Sequence, residues 1–83
     1  MAHKVAKYSI EREKSWLYFL RRNNKTGFFN VWRIKMKRAG DRLFKETGPE
    51  IVKHTIVKPE NNYLYFLDSN GDISRFKRKD YRQ

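Results

Sequence analysis

Apolar, aromatic and β-branched residues concentrate in short segments of the chain, with a period close to two where polar residues interrupt them. Such segments favour β-strands over helices. Asn70-Gly71 separates the last two segments and is a strong hairpin signal, because a tight primed turn needs positive φ angles. Residues 23–27 form a longer candidate turn. The sequence therefore predicts an all-β protein with six strands, over 5–10, 16–20, 28–36, 51–57, 63–67 and 73–77.

The two halves of this pattern correspond to each other. Residues 4–20 align without a gap with residues 51–67 at an offset of 47, and both contain Leu-Tyr-Phe-Leu. After an excess of five residues in the first half, the match resumes at an offset of 42. We expect a single domain over 1–83, built from two three-stranded β-meander repeats over about 4–38 and 51–80 with a linker over 39–50. The alternative is a likeness of composition between two β-rich segments.

One three-stranded unit buries little apolar surface by itself, so the two units are expected to combine in a six-stranded sheet or a small barrel. Barrel closure would hide the strand edges, but two packed sheets remain an alternative. In the linker, Asp41 could cap a short helix over 42–46 that Gly48 ends and Pro49 cannot continue. An extended linker is the alternative.

Composition narrows the class of protein. The chain has 83 residues and no cysteine, so no disulfide contributes and the fold depends on its apolar core. The first residues lack the apolar segment of a signal peptide, and no apolar run approaches the ~20 residues that cross a bilayer. We therefore expect a cytoplasmic protein without membrane insertion.

The charge of the chain indicates a class of partner. Twenty Lys and Arg residues against nine Asp and Glu residues give a formal net charge of +11. Such a charge attracts polyanions, so DNA or RNA is the expected partner. An acidic protein is the alternative partner.

The third strand of each half carries a row of cations on one side. Side chains that alternate along a strand lie ~6.5 to 7 Å apart, which roughly matches the phosphate spacing of a nucleic-acid strand. The alternative is a solvated strand face whose charges discourage edge pairing. The predicted phosphate-binding residues are Arg33, Lys35 and Lys37 in the first half and Arg75, Lys77 and Lys79 in the second.

The second strand of each half has large apolar groups on both faces. Leu and Phe residues occupy one face, and Trp and Tyr residues the other. If the Leu and Phe face is buried, the opposite face is available to stack on unpaired bases. The alternative is a strand buried on both faces. The predicted base-contacting residues are Trp16, Tyr18, Tyr63 and Tyr65.

Support for catalysis or metal binding is thin. Asp68, Asn70 and Asp72 resemble a calcium loop superficially, but the glycine and the final glutamate of an EF-hand are not in place. His3 and His54 have no third ligand at a useful spacing. There is no glycine-rich phosphate loop and no nucleophile with a base. We predict a turn at 68–72 and a protein that is not an enzyme and has no cofactor or metal.

The segment over 63–75, preceded by Glu60, resembles a group of small, mostly uncharacterised prokaryotic proteins that carry a YLYFxDxxGDxSR segment, often in two copies. Residues 13–20 match it as a degenerate copy. The resemblance implies a tandem β architecture and brings no activity with it. The sequence thus predicts a nucleic-acid-binding module of low sequence specificity, with a protein interaction module that docks through its aromatic face as the alternative.

Overall fold

The computed structural model describes residues 2–40 and 42–78, and these residues contain no helix. The all-β prediction is confirmed. The first strand is shorter than predicted, because the chain leaves the sheet after Ala6 and the amides of Tyr8 and Ser9 donate to Asp72 instead. The strands are β1 (His3–Ala6), β2 (Trp16–Arg22), β3 (Phe29–Lys35), β4 (Glu50–His54), β5 (Tyr63–Leu67) and β6 (Ile73–Lys77).

The strands form two antiparallel sheets of three strands each. The first sheet has the order β2-β3-β4, and the second sheet has the order β1-β6-β5. The prediction of one six-stranded sheet or a small barrel is wrong, since the described strands form no closed barrel. The alternative of two packed sheets is the arrangement observed, and β2 and β5 supply the strand contact between them.

Each sheet takes one edge strand from the other half of the sequence. β4 follows β3 in the chain and pairs with it, as consecutive strands commonly do. The free edge of β6 then pairs with β1. The predicted meander units are therefore not self-contained, because the first strand of each half completes the sheet of the other half.

The strand registers of the two sheets correspond at the same offsets that align the two halves. Trp16 pairs with Lys35 in the first sheet, and Tyr63 pairs with Lys77 in the second. The edge strands β1 and β4 also correspond, because each has one register shift. The shift in β1 lies between Lys4 and Ala6, and the shift in β4 lies opposite Val31 and Trp32. Each shift leaves one valine outside the ladder, as in a β-bulge.

The small core lies between the sheets. Val31 of β3 and Ile73 of β6 are fully buried, and Val57 is 6% exposed. The rings of Phe29 and Tyr65 meet across the sheets with centroids 5.1 Å apart. Both rings lie on the same side of their sheets as Val31 and Ile73, and we call these sides the inner faces. The opposite sides are the outer faces.

The hairpin between β5 and β6 is confirmed, but its turn is not of the primed type. Asp68 N donates to Asp72 O at 2.8 Å, and Gly71 N donates to Asp68 O at 3.0 Å. Within the described turn, positive φ occurs at Gly71 and not at Asn70. This pattern is typical of a type I turn followed by a glycine in the left-handed backbone conformation.

The linker over 42–49 is extended or turn-like, so the short helix predicted there is not formed by the described residues. Its proposed cap, Asp41, lies outside them. The described chain also has no helix with the length and apolar character needed to cross a membrane.

Candidate nucleic-acid interface

Arg33 is the centre of a polar cluster on the inner face of the first sheet. Its guanidinium Cζ lies 3.9 Å from the centroid of the Trp16 ring, a cation–π geometry. Arg33 Nε donates to Glu50 Oε2 at 2.7 Å, and Nη1 donates to Glu13 Oε2 at 3.0 Å and to Tyr18 Oη at 3.4 Å. The bonds to Tyr18 and then to Glu50 raise the pKa of Arg33.

Arg75 occupies the corresponding place in the second sheet. Its Cζ lies 3.8 Å from the Tyr63 ring centroid, and Nη1 donates to Tyr65 Oη and Glu60 Oε2, both at 3.0 Å. The bond to Tyr65, followed by the bond to Glu60, raises the pKa of Arg75. The edge-strand partner of Arg75 is His3, whereas the edge-strand partner of Arg33 is Glu50. The second cluster therefore has one carboxylate where the first has two.

These two clusters contain all of the predicted aromatic and arginine site residues, on the inner faces of the sheets. Trp16, Tyr18, Tyr63 and Tyr65 are half-buried and hold the two arginines. The arginine side chains retain 21% and 24% exposure and already contact carboxylates. Their contact with nucleic acid stays a prediction.

The predicted lysines are more accessible than the arginines. Lys35 and Lys77 are exposed at the ends of β3 and β6, and Lys37 is exposed just beyond β3. Lys35 Nζ lies 5.7 Å from the Trp16 ring centroid. The predicted site residue Lys79 lies outside the described residues.

Four carboxylates of the described residues form ion pairs within the chain. Glu13 and Glu50 pair with Arg33, Glu60 pairs with Arg75, and Asp72 pairs with Lys4. Across residues 2–40 and 42–78, the ion pairs involve these three cations. The exposed lysines and arginines of the strand ends and hairpins thus lie outside the ion pairs of the described chain.

The predicted turn at 68–72 is confirmed, and its acids have structural partners. The Asp72 side chain is 1% exposed and accepts hydrogen bonds from Lys4 Nζ at 2.7 Å, Tyr8 N at 2.8 Å and Ser9 N at 2.7 Å. The bond from Lys4, with that from Ser9 next, lowers the pKa of Asp72 to about 2. Asp72 therefore fastens the N-terminal segment to the second sheet.

Asp68, the first residue of the turn over 68–72, stabilises the same hairpin. Its Oδ1 accepts from Asn70 N at 2.9 Å and from Asp72 N at 3.0 Å, and its Oδ2 accepts from Ser74 Oγ at 2.5 Å. Partial burial raises the pKa of Asp68, but the bonds from Ser74 and the two amides outweigh burial and lower it overall. Asp68, Asp72 and Ser74 of the YLYFxDxxGDxSR segment thus have contacts that hold the hairpin together.

Gly71 is required by a close approach of two backbone segments. Ile10 N donates to Gly71 O at 2.9 Å. A Cβ atom at Gly71 would lie 2.2 Å from Ile10 O, and the φ angle of +79° is one that side chains rarely adopt.

The outer face of the first sheet carries a set of residues that the sequence reasoning missed as a candidate site. Leu17 is 52% exposed, and Phe19 and Trp32 are half-buried neighbours on β2 and β3. The guanidinium Cζ of Arg21 lies 5.2 Å from the Trp32 ring centroid. The Leu and Phe face of β2 is thus the accessible one, since Leu17 is exposed while Trp16 and Tyr18 are half-buried. Strand alternation could have shown that Phe19 and Arg21 share a face, but placing Trp32 on it also requires the register of the hairpin between β2 and β3.

The second sheet has a comparable outer face with less charge. Leu64 is 44% exposed, Phe76 is 39% exposed, and the rings of Phe66 and Phe76 have centroids 5.9 Å apart. On this face Ser74 corresponds to Trp32 of the first sheet, since Ser74 pairs with Phe66 as Trp32 pairs with Phe19.

Metal-ligating residues do not cluster in the part of the chain that the structure describes, where no group of three His, Asp or Glu side chains could hold an ion. His54 is instead a neighbour of buried Asn30, with His54 Nδ1 3.2 Å from Asn30 Oδ1.

Comparison with known proteins does not identify a relative. No family model matches the chain, and no match is found among the curated proteins or the solved structures. Function is therefore argued from the geometry and the charge distribution.

Proposed function

We propose that this chain is a non-enzymatic nucleic-acid-binding module of low sequence specificity. The observation that carries the proposal is the separation of charge within the fold. Glu13, Glu50, Glu60 and Asp72 already form ion pairs with Arg33, Arg75 and Lys4, while the other exposed cations of a chain of net charge +11 are available to an external polyanion. Phosphate neutralisation by such cations releases counterions and favours binding to DNA or RNA.

Lysines at the ends of the third strands are the strongest phosphate contacts in this proposal. Lys35, Lys37 and Lys77 are exposed. Arg33 and Arg75 would contribute less, because a phosphate must compete with carboxylates that already hold them. Contacts to phosphates position a protein without reading sequence, which is the reason for the low specificity.

We also propose that the chain is an internal duplication. The contact of an arginine with one aromatic ring, one tyrosine hydroxyl and one glutamate occurs in both sheets. The residues that make it are related by the offsets of 47 and 42 that align the halves. Duplication supports the function by placing similar lysine-bearing strand ends on each sheet.

A salt titration tests the proposed function. Binding of labelled DNA and RNA, measured by fluorescence anisotropy, is expected to weaken linearly in a plot of log affinity against log salt. Lys35→Ala and Lys77→Ala should each reduce the slope by about one, because each removes a phosphate contact. Lys58→Ala is the matched control, since Lys58 is also exposed but lies between the strands β4 and β5. No binding to DNA or RNA at about 50 mM salt would contradict the proposal.

A protein interaction module is the second candidate, and exposed Leu17 and Leu64 are the observation that favours it. On this alternative, the basic surface steers an acidic protein toward the apolar face. Retention of a partner by Lys35→Glu and Lys77→Glu variants, together with its loss in a Leu17→Asn variant, would support this function over nucleic-acid binding.

A further inference from the structure

We propose that the outer face of the first sheet is a platform for unpaired bases of a single-stranded nucleic acid. This inference rests on the proposed function and assigns the surface through which bases, rather than phosphates, are bound. Phe19 and Trp32 are directly opposite each other on β2 and β3, so their side chains share this face. Leu17 and Ile34 form the adjacent pair on one side of them.

Side chains on this outer face are partly accessible to solvent. Leu17 is 52% exposed and Ile51, the β4 partner of Trp32, is 39% exposed. Phe19, Trp32 and Ile34 are half-buried, so each retains surface that a flat ligand can cover. An apolar sheet face of this kind, with two aromatic residues at its centre, offers the stacking surface that single-strand-binding proteins use.

A cation lies beside the aromatic pair on the same face. Arg21 follows Phe19 by two residues on β2, and its guanidinium Cζ is 5.2 Å from the Trp32 ring centroid. An arginine in this place can contact a phosphate or stack on a base next to Trp32. The loop that follows β2 adds the exposed cation Lys25.

Charge selects the occupant of this face. A second copy of the chain would bring one net charge of +11 against another, which opposes self-association. A nucleic acid supplies both the anionic backbone that the cations attract and the apolar base faces that the aromatic residues can cover. In a duplex those base faces are already stacked on each other, so an unpaired strand is the better match.

The second sheet does not combine the same groups on its outer face. At the position of Trp32 it has Ser74, and at the position of Arg21 it has Asp68, related by the offset of 47. Ser74 Oγ donates to the Asp68 carboxylate, so a serine and a carboxylate that bond each other replace the tryptophan and the arginine of the first sheet. Phe66 corresponds to Phe19 and therefore provides a matched control within the same molecule.

The test compares a labelled single strand with its duplex by fluorescence anisotropy at one salt concentration. Phe19→Leu and Trp32→Leu retain apolar packing but remove the aromatic ring. Each variant should weaken single-strand binding by about 5- to 150-fold, from the contribution of one stacked base. Phe66→Leu should change single-strand affinity by less than about twofold, and duplex affinity should change little in all three variants. Circular dichroism and thermal melting establish that the variants are folded.

The outcomes separate this inference from the function on which it rests. If single strand and duplex bind equally and Phe19→Leu behaves like Phe66→Leu, the platform is wrong while nucleic-acid binding stands. If neither form binds at low salt, both proposals are wrong. Concentration-dependent dimerisation that Phe19→Leu abolishes, without any effect on the single strand, would assign the face to a second copy and overturn the platform.

Discussion

Lys4 and Asp72, which are 68 residues apart in the sequence, form an ion pair of 2.7 Å. The lysine belongs to β1 and the aspartate to the turn before β6, so the contact fixes the edge strand that completes the second sheet. Asp72 also accepts the amides of Tyr8 and Ser9. One buried carboxylate thus determines where the N-terminal segment leaves the sheet.

The stability of the protein should fall in acid because of Asp72. Its pKa is about 2 in the folded protein and ~3.9 in an unfolded chain, so its contribution is complete above about pH 4 and is lost as the pH falls toward 2. Asp68, whose pKa is also lowered, adds to the loss in the same direction. Urea unfolding at several pH values should show a steeper loss for the natural chain than for Asp72→Asn. Parallel pH profiles for the two proteins would contradict this assignment.

The same ion pair should weaken in strong base. The hydrogen bond to Asp72 raises the pKa of Lys4 above 10.5, so the stabilisation is present below 10.5 and is lost as the pH rises through the folded value. Lys4→Met should therefore lower the melting temperature at pH 7 and make little difference at a pH above the folded value. An equal loss at both pH values would show that the lysine charge is not responsible.

Gly71 and Gly27 provide a matched test of the backbone contact with Ile10. Both have positive φ angles, +79° and +80°, but a Cβ at Gly27 meets nothing within 4 Å. Gly27→Ala should cost about 1 to 2 kcal/mol of unfolding free energy from the left-handed backbone alone. Gly71→Ala should cost about 3 to 4 kcal/mol, because the Ile10 backbone must also move. Chemical denaturation measures both values, and equal costs would show that the close approach is not important.

The two arginine clusters should differ in their contribution to stability. Arg33 contacts Glu13 and Glu50, whereas Arg75 contacts Glu60. Arg33→Lys should therefore lower the melting temperature more than Arg75→Lys, by a few degrees, since lysine cannot reproduce the fork of the guanidinium. Arg42→Lys, in the exposed linker, is the control for the exchange of an arginine for a lysine. A larger effect at Arg75 would contradict this ranking.

The strands, and the hairpins that join β2 to β3 and β5 to β6, could be predicted from the sequence because their signals are local. A period near two and turn residues such as Asn70-Gly71 are properties of a few neighbouring residues. The pairing of β1 with β6 could not be predicted, because it joins segments about 70 residues apart through the buried contacts of Asp72. Local pattern does not specify which distant edge a strand completes.

The accessible side of β2 was also beyond the sequence pattern. Trp16 and Tyr18 on one side and Leu17 and Phe19 on the other are similarly apolar, so hydrophobicity does not decide between them. The inner side is set by Arg33, which stacks on Trp16 and binds Glu13 and Glu50 from distant parts of the chain. Trp16 and Tyr18 thus contact Arg33 within the fold, and their contact with nucleic acid stays a prediction.

An NMR titration of the labelled protein with a single-stranded oligonucleotide tests the central claim of nucleic-acid binding most directly. Amide shifts are expected for Phe19, Arg21 and Trp32 on the outer face of the first sheet and for Lys35 and Lys77 at the strand ends. The Lys4 and Asp72 contact should be unaffected. Absence of shifts at low salt, or shifts confined to the buried hairpin around Asp72, would contradict the account.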